Sequence, residues 1–167
     1  MTTCIQSHRR RTRRTQQEVA DMFLTTKPNI CNIEKGRRHV STDMLQTGFE
    51  RCDDPILLND LNYEFSGGYT TPTASDRVYD DHPMCALFRL QREIDEAIEF
   101  AQSFRLDKRP EFWNQEDREN AIRFESEWQD VEFEVRNLIV SFEAHAGFDT
   151  HEMAENRNKR FKMQQRI

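Results

Sequence analysis

The side chains of this sequence that could do recognisable chemistry are amides and cations, which recur at helical spacing between residues 15 and 38. Asn and Gln amides can donate to and accept from base edges in the major groove of DNA, while Lys and Arg bind phosphate oxygens. Contacts with duplex DNA are therefore expected from this segment and from the arginine run before it. The predicted contact residues are Arg10, Arg11, Arg13, Gln16, Gln17, Thr26, Lys27, Pro28, Asn29, Asn32, Lys35, Arg37 and Arg38.

Two roles are expected within this set. The base edges would be contacted by Lys27, Asn29 and Asn32. The phosphates would be held by backbone amides at helix starts and by Gln16, Lys35, Arg37 and Arg38. The arginine run itself has two interpretations, a phosphate-binding patch or a solvated helix face.

Two short helices joined by a bend at residues 24–25 must position these side chains. Thr15 and Thr26 are suited to cap the first and second helix, because a threonine hydroxyl accepts a hydrogen bond from the free amides of a first turn. Pro28 fits the first turn of the second helix, and Gly36 fits the position after its end. The inward-facing residues would be Val19, Ala20, Phe23, Ile30 and Ile33.

This spacing resembles the helix-turn-helix domains of the Cro/Xre-like phage-repressor family. The family pattern is a Thr-Gln opening of helix 2, an alanine in mid-helix, a polar start of helix 3 and then Ile-x-x-Ile-Glu-x-Gly. The matching positions are Thr15, Gln16, Ala20, Thr26, Ile30, Ile33, Glu34 and Gly36.

The resemblance covers roughly residues 4–64 and implies a five-helix, lambda-repressor-like domain whose third helix reads DNA. It also implies that Arg9 in helix 1 forms a structural ion pair with Glu34. The sequence departs from the pattern at four positions. His8 and Arg14 stand where leucine is usual, Leu24 where glycine is common, and Cys31 where serine is common.

Two further helices are expected to close the core of this domain. Ser41 or Thr42 can cap one of them, and Asp54 followed by Pro55 is a good start for the other. Residues 66–82 begin with small polar residues, Gly and Pro, which is typical of a linker. The predicted domains are therefore 1–65 for DNA binding and 83–167 for dimerisation or partner binding.

Beyond residue 82, apolar residues recur three and four apart in two series, from Leu87 to Phe104 and from Ala121 to Phe142. Such series are the seams of packed helices, and Pro110 separates the two. An antiparallel helix pair is expected. Gly147 would end its second helix, and a third, poorer helix would start near Thr150.

The apolar flanks of this pair are wider than a two-helix seam needs. A second copy of the chain would cover these apolar flanks without requiring another protein, so a homodimer is predicted. The aromatic members of the stripe favour packing over a ligand pocket. The residues predicted to hold two copies together are Leu87, Ile94, Ile98, Phe124, Trp128, Val135, Leu138 and Phe142.

The net charge of −6 is unevenly distributed along the 167 residues. Residues 1–40 carry nine Lys/Arg and three acids, net +6, and residues 41–65 carry one and six, net −5. Residues 66–156 carry nine and 21, net −12, and residues 157–167 carry five and none, net +5. A protein with a basic N-terminal region and an acidic middle region can bind phosphates through one face, while the rest of its surface repels DNA.

Other classes of protein fit the sequence poorly. The four cysteines are scattered without a Cys-x-x-Cys pair, as in reduced cytosolic thiols. His145 and His151 are six apart, which is not a same-face helical spacing, so no metal site is expected. No apolar run approaches a membrane span, no apolar stretch follows the N-terminal arginines, and no phosphate loop or nucleophile elbow is present. Neither enzymatic activity nor a cofactor is expected.

These observations predict an all-α protein of the bacterial cytoplasm or nucleoid that regulates transcription, as a dimeric repressor on a pseudo-palindromic operator. The alternative is an inhibitor encoded by a phage or toxin locus, such as an antitoxin, antirepressor or anti-CRISPR protein. Such a protein would bind a protein target through its acidic helical domain and repress its own promoter.

Overall fold

A computed structural model describes residues 3–74, 79–105 and 108–167, and within these ranges the chain is helical without strands. The all-α prediction is confirmed. The α-helices are α1 (Cys4–Arg11), α2 (Gln16–Met22), α3 (Lys27–Glu34), α4 (Thr42–Arg51), α5 (Pro55–Phe65), α6 (Pro83–Ser103), α7 (Gln115–Ala146) and α8 (Thr150–Met163). A short 3₁₀ turn spans Pro110–Phe112.

The predicted helix starts are confirmed by side-chain caps. Thr15 and Glu18 form a reciprocal capping box at α2, and the Thr26 hydroxyl accepts from the backbone amide of Asn29. Asp54 accepts from two backbone amides at the start of α5. Gly147, with φ +66°, follows the last residue of α7, as predicted.

The chain divides into two compact units. The head unit consists of Met1–Pro72 with Ala146–Ile167, and the helix-pair unit consists of Thr73–His145.

This division differs from the predicted domains, because α8 belongs to the head unit rather than to an 83–167 domain. The predicted 66–82 linker is also partly built into the units. The Asn59 amide donates to the Thr71 carbonyl in the head unit, and Ala74 N donates to Asn137 in the helix-pair unit. Residues 75–78 of that segment lie outside the described residues.

The head unit has one apolar core shared by α1 to α5. Phe23, Ile30 and Leu61 are almost completely buried at its centre. Gly48 of α4 faces Phe23 so closely that a Cβ atom there would lie 2.9 Å from the ring, so a larger residue would push the helix away. Burial of this core holds α2 and α3 in place.

The helix-pair unit has a smaller core between α6 and α7. Leu90 and Ala97 of α6 pack with Val131 of α7. The Arg89 guanidinium donates to both carboxylate oxygens of Glu134 at 3.1 Å, and the rings of Phe104 and Phe124 lie 5.0 Å apart. Later residues of α6 thus meet earlier residues of α7, so the two helices run antiparallel. None of the described helices is both long and apolar enough to cross a lipid bilayer.

Candidate nucleic-acid interface

The segment from Thr15 to Arg38 places a polar surface over an apolar base. Ile30 and Ile33 of α3 are buried against the core, whereas Asn29 and Asn32 are half-buried at its surface. Gln16 is also half-buried. The other predicted contact residues of the segment are exposed, and they are Gln17, Thr26, Lys27, Pro28, Lys35, Arg37 and Arg38. The bend before α3 passes through Leu24, whose φ of +50° lies in the left-handed region where glycine is favoured.

The two asparagines of α3 have different surroundings. The Asn29 amide nitrogen donates to Thr25 Oγ1 at 3.0 Å, and its oxygen accepts from Arg38 at 3.3 Å. No hydrogen bond to the Asn32 side chain is found among the described residues. Asn29 is therefore oriented by its neighbours, while the donor and acceptor of Asn32 remain available to a base edge.

The ion pair that the family resemblance implied is present in the structure. Arg9 Nε donates to Glu34 Oε1 at 2.6 Å, and Arg9 Nη2 donates to Glu34 Oε2 at 3.1 Å, a two-point contact. The hydrogen bond to Glu34 raises the pKa of Arg9. Burial alone would raise the pKa of Glu34, but hydrogen bonds from Arg9 and Gln16 outweigh it and lower that pKa.

Gln16 links this pair to α2. Its amide nitrogen donates to Glu34 Oε2 at 2.8 Å, so one carboxylate ties together α1, α2 and α3. An amide nitrogen carries two hydrogens, so Gln16 keeps one donor for a phosphate. Gln17 donates to Asp21 on the same helix, and this exposed contact is easily exchanged for another.

Removing Glu34 is expected to destabilise the head unit by about 3 kcal/mol, because Arg9 would lose the carboxylate that binds it at two points in a mostly buried site. The measurement is chemical denaturation of Glu34→Ala. The matched control is Glu50→Ala, which removes an exposed glutamate of α4. Equal stability of the two variants would mean that the pair holds no helices together.

A second polar cluster was not foreseen from the sequence. His8, 3% exposed, stands where the family usually has leucine, and its Nδ1 lies 2.5 Å from Asp54 Oδ2. The same oxygen accepts from Arg11 Nη2 at 2.5 Å. Burial opposes ionisation of Asp54, but the contacts with His8 and Arg11 prevail and lower its pKa to about 2. The signals were a histidine in a leucine position and an aspartate at a helix start.

This cluster changes the expected role of one arginine. Arg11 was predicted to bind phosphate. Its guanidinium instead forms a charged hydrogen bond with the buried carboxylate of Asp54. Arg10 and Arg13 remain exposed, as predicted. The arginine run therefore offers fewer candidate phosphate contacts than the sequence predicted.

The predicted dimerisation residues fall into two groups. Ile94 and Leu138 pack against the core of the helix-pair unit, and Phe124 contacts the rings of Phe104 and Trp128. Packing within one chain accounts for these three predicted residues without a second copy. The others are exposed at their surface, and they are Leu87, Ile98, Trp128, Val135 and Phe142.

The described residues contain no group of three or more His, Cys, Asp or Glu that could hold a metal ion. His145 lies in the helix-pair unit and His151 in the head unit. All four cysteines are free thiols, and burial raises the pKa of Cys52 to about 11. Comparisons with protein-family models, curated proteins and solved structures found no match.

Proposed function

We propose that this protein is a sequence-specific DNA-binding transcriptional regulator. The head unit would act as a Cro/Xre-like helix-turn-helix domain of five helices, with α3 as the recognition helix in the major groove. The observation that carries the proposal is the α2–α3 surface, where amides and cations cover a buried apolar base. The Arg9–Glu34–Gln16 contacts support it, because a base-reading helix must be held rigidly.

Base contacts are assigned to Asn32 and Lys27, with Asn29 held in place by Thr25 and Arg38. Phosphate contacts are assigned to cations around this surface and to backbone amides at the starts of α2 and α3. The cations of this group are Arg10, Arg13, Lys35, Arg37 and Arg38.

A dimer is the second part of the proposal. Two copies joined through the helix-pair unit would place two α3 helices in major-groove faces about 34 Å apart, on a pseudo-palindromic operator. The exposed apolar residues of α6 and α7 support this assembly, because a single helix pair leaves them in water. Occupying a promoter in this way would repress transcription.

The direct test is selection of bound duplexes from random DNA with the full chain. A recovered motif with two related half-sites supports the proposal, and a pool without enrichment contradicts sequence-specific binding. A monomer with no motif would instead favour capture of a protein partner by the acidic region, in which residues 66–156 carry a net charge of −12.

Replacing Asn32 by Ala is expected to relax preference at one base position and to cost about 1–3 kcal/mol there. Replacing Arg10 by Ala is expected to weaken binding to all sequences alike and to reduce the salt slope by about 0.9. Titrations against every single-base variant of the selected site at two salt concentrations separate the effects. Asn120→Ala, on exposed α7 surface, is the control.

The two roles make opposite predictions about specificity. If Asn32→Ala and Arg10→Ala change base preference in the same way, the assignment of one to bases and the other to phosphates is wrong.

A further inference from the structure

The C-terminal segment of the chain is strongly basic and belongs to the head unit. Residues 157–167 carry five cations and no acid, whereas residues 66–156 carry a net charge of −12. Helix α8, which contains most of these cations, is part of the same compact unit as α1 to α5. The cations therefore share a unit with the candidate nucleic-acid interface.

Helix α8 is fixed to the head unit at its first turn. The backbone amide of Thr150 donates to Asp53 Oδ1 at 2.8 Å, and His151 Nε2 lies 3.2 Å from the carbonyl oxygen of Cys52. Asp149 caps the helix by accepting from two backbone amides. These contacts set where α8 begins.

The same α4–α5 turn also holds the basic end of α1. Asp54, the next residue after Asp53, binds Arg11 and His8. One turn thus anchors both the arginine run and α8. Lys159 and Lys162 lie nine and twelve residues after Thr150, which is about 14 and 18 Å along a helix.

The cations of α8 are not occupied by strong internal partners. Lys159 pairs with Glu155 at 3.3 Å, but both side chains are largely exposed, and such pairs contribute little. The guanidinium carbons of Arg160 and Arg166 lie 5.5 and 5.2 Å from the centre of the half-buried Phe161 ring. The first turns of α8 contain Glu152 and Glu155, but from Arg157 to its end the helix carries four cations and no acid.

We propose that α8 is a second phosphate-binding element, which contacts the backbone of the same DNA duplex that α3 reads. This inference rests on the proposed DNA-binding function and deepens it. A polyanionic backbone matches the C-terminal half of α8, where residues 157–163 carry four cations and no acid. The element adds affinity and salt dependence equally for every sequence.

The test compares two triple variants of the full chain with the wild type. Lys159→Gln, Arg160→Gln and Lys162→Gln together remove three cations from α8 while keeping good helix-forming residues. The control, Arg92→Gln with Arg118→Gln and Arg123→Gln, removes the same charge from exposed positions of the helix-pair unit. Affinity for the selected operator and for a random duplex is measured between 50 and 200 mM salt.

The α8 variant is expected to lower the salt slope by up to about 2.7, since each phosphate contact contributes about 0.9. Over a fourfold range of salt, that difference is about 40-fold in affinity. The loss should be equal for operator and random DNA, and the control should keep the wild-type slope. A Lys159→Arg, Lys162→Arg variant, which retains the charge, should also keep it.

The outcomes separate this inference from the proposed function. A wild type that prefers its operator, with an α8 variant of unchanged slope, overturns the role of α8 and leaves the regulator intact. A wild type that binds all sequences equally, with a slope that falls in the α8 variant, supports α8 and contradicts sequence-specific recognition. A wild type that binds no duplex overturns both. Equal loss in the α8 and control variants also overturns the inference, because net charge alone would then explain it.

Discussion

Replacing Val135 with glutamate is expected to dissociate the proposed dimer and to weaken operator binding by about 10²–10⁴-fold. One head alone would lose the second contact and the high effective concentration that a linked head provides. Val135 is 38% exposed on α7, so a charge there meets solvent in the monomer but a buried apolar surface in the dimer. The head unit should remain folded.

Val135 is a better site for the added charge than Leu138. Periodicity alone would favour Leu138. Leu138 packs against the core between α6 and α7, so a charge there would disrupt the helix pair itself. The matched control is Ser126→Glu, which adds the same charge nine residues earlier, on the opposite side of a 3.6-residue helix. Light scattering gives the size of each variant, and a DNA titration gives its affinity.

A wild type that is monomeric at micromolar concentration contradicts the dimer directly. So does a monomeric Val135→Glu variant that binds the full operator as tightly as the wild type. Either result would move the proposal towards an inhibitor that captures another protein through its helix pair.

Local signals in the sequence were sufficient to place most helix ends. Thr15, Thr26 and Asp54 cap the helices that they were expected to cap, because capping depends on neighbours within three residues. Pro55 and Gly147 mark a start and a stop for the same reason. The all-α class follows from these ends and from the helical spacing of apolar residues between them.

Contacts between distant residues could not be predicted in this way. The anchor of α8 joins Thr150 to Asp53, 97 residues earlier, and no periodic pattern records such a pairing. The dimer prediction shows the same limit. Periodicity placed Val135 and Leu138 on one apolar stripe, but it could not tell which of them the partner helix covers.

The His8–Asp54 contact was hidden for a related reason. A histidine in a leucine position signals only that the site differs from the pattern of the family that the sequence resembles, and the partner lies 46 residues away. By contrast, the Arg9–Glu34 pair was expected, because the family resemblance supplied both positions. The polar contacts of the head unit were therefore predicted where local spacing or the family resemblance supplied both residues. The His8–Asp54 contact was missed because neither did.

Replacing Asp54 with alanine is expected to destabilise the head unit by about 3–5 kcal/mol at neutral pH. The carboxylate caps α5, binds Arg11 and contacts buried His8. The Nε2 atom of His8 is buried without a hydrogen-bond partner among the described residues, so losing Asp54 would leave both ring nitrogens unpaired. Chemical denaturation measures the loss, with Asp43→Ala on exposed α4 surface as the control.

The pH dependence of this effect identifies its cause. The pKa of Asp54 is lowered to about 2 in the folded protein, below its usual value of about 4. Its ionised form therefore adds stability that is fully present above about pH 4 and is lost as the pH falls towards 2. Asp54→Asn keeps a capping side chain but not the charge, so its deficit relative to wild type should shrink over that window. A deficit that stays constant from pH 7 to pH 2.5 would show that the ionised carboxylate does not hold α1 to α5.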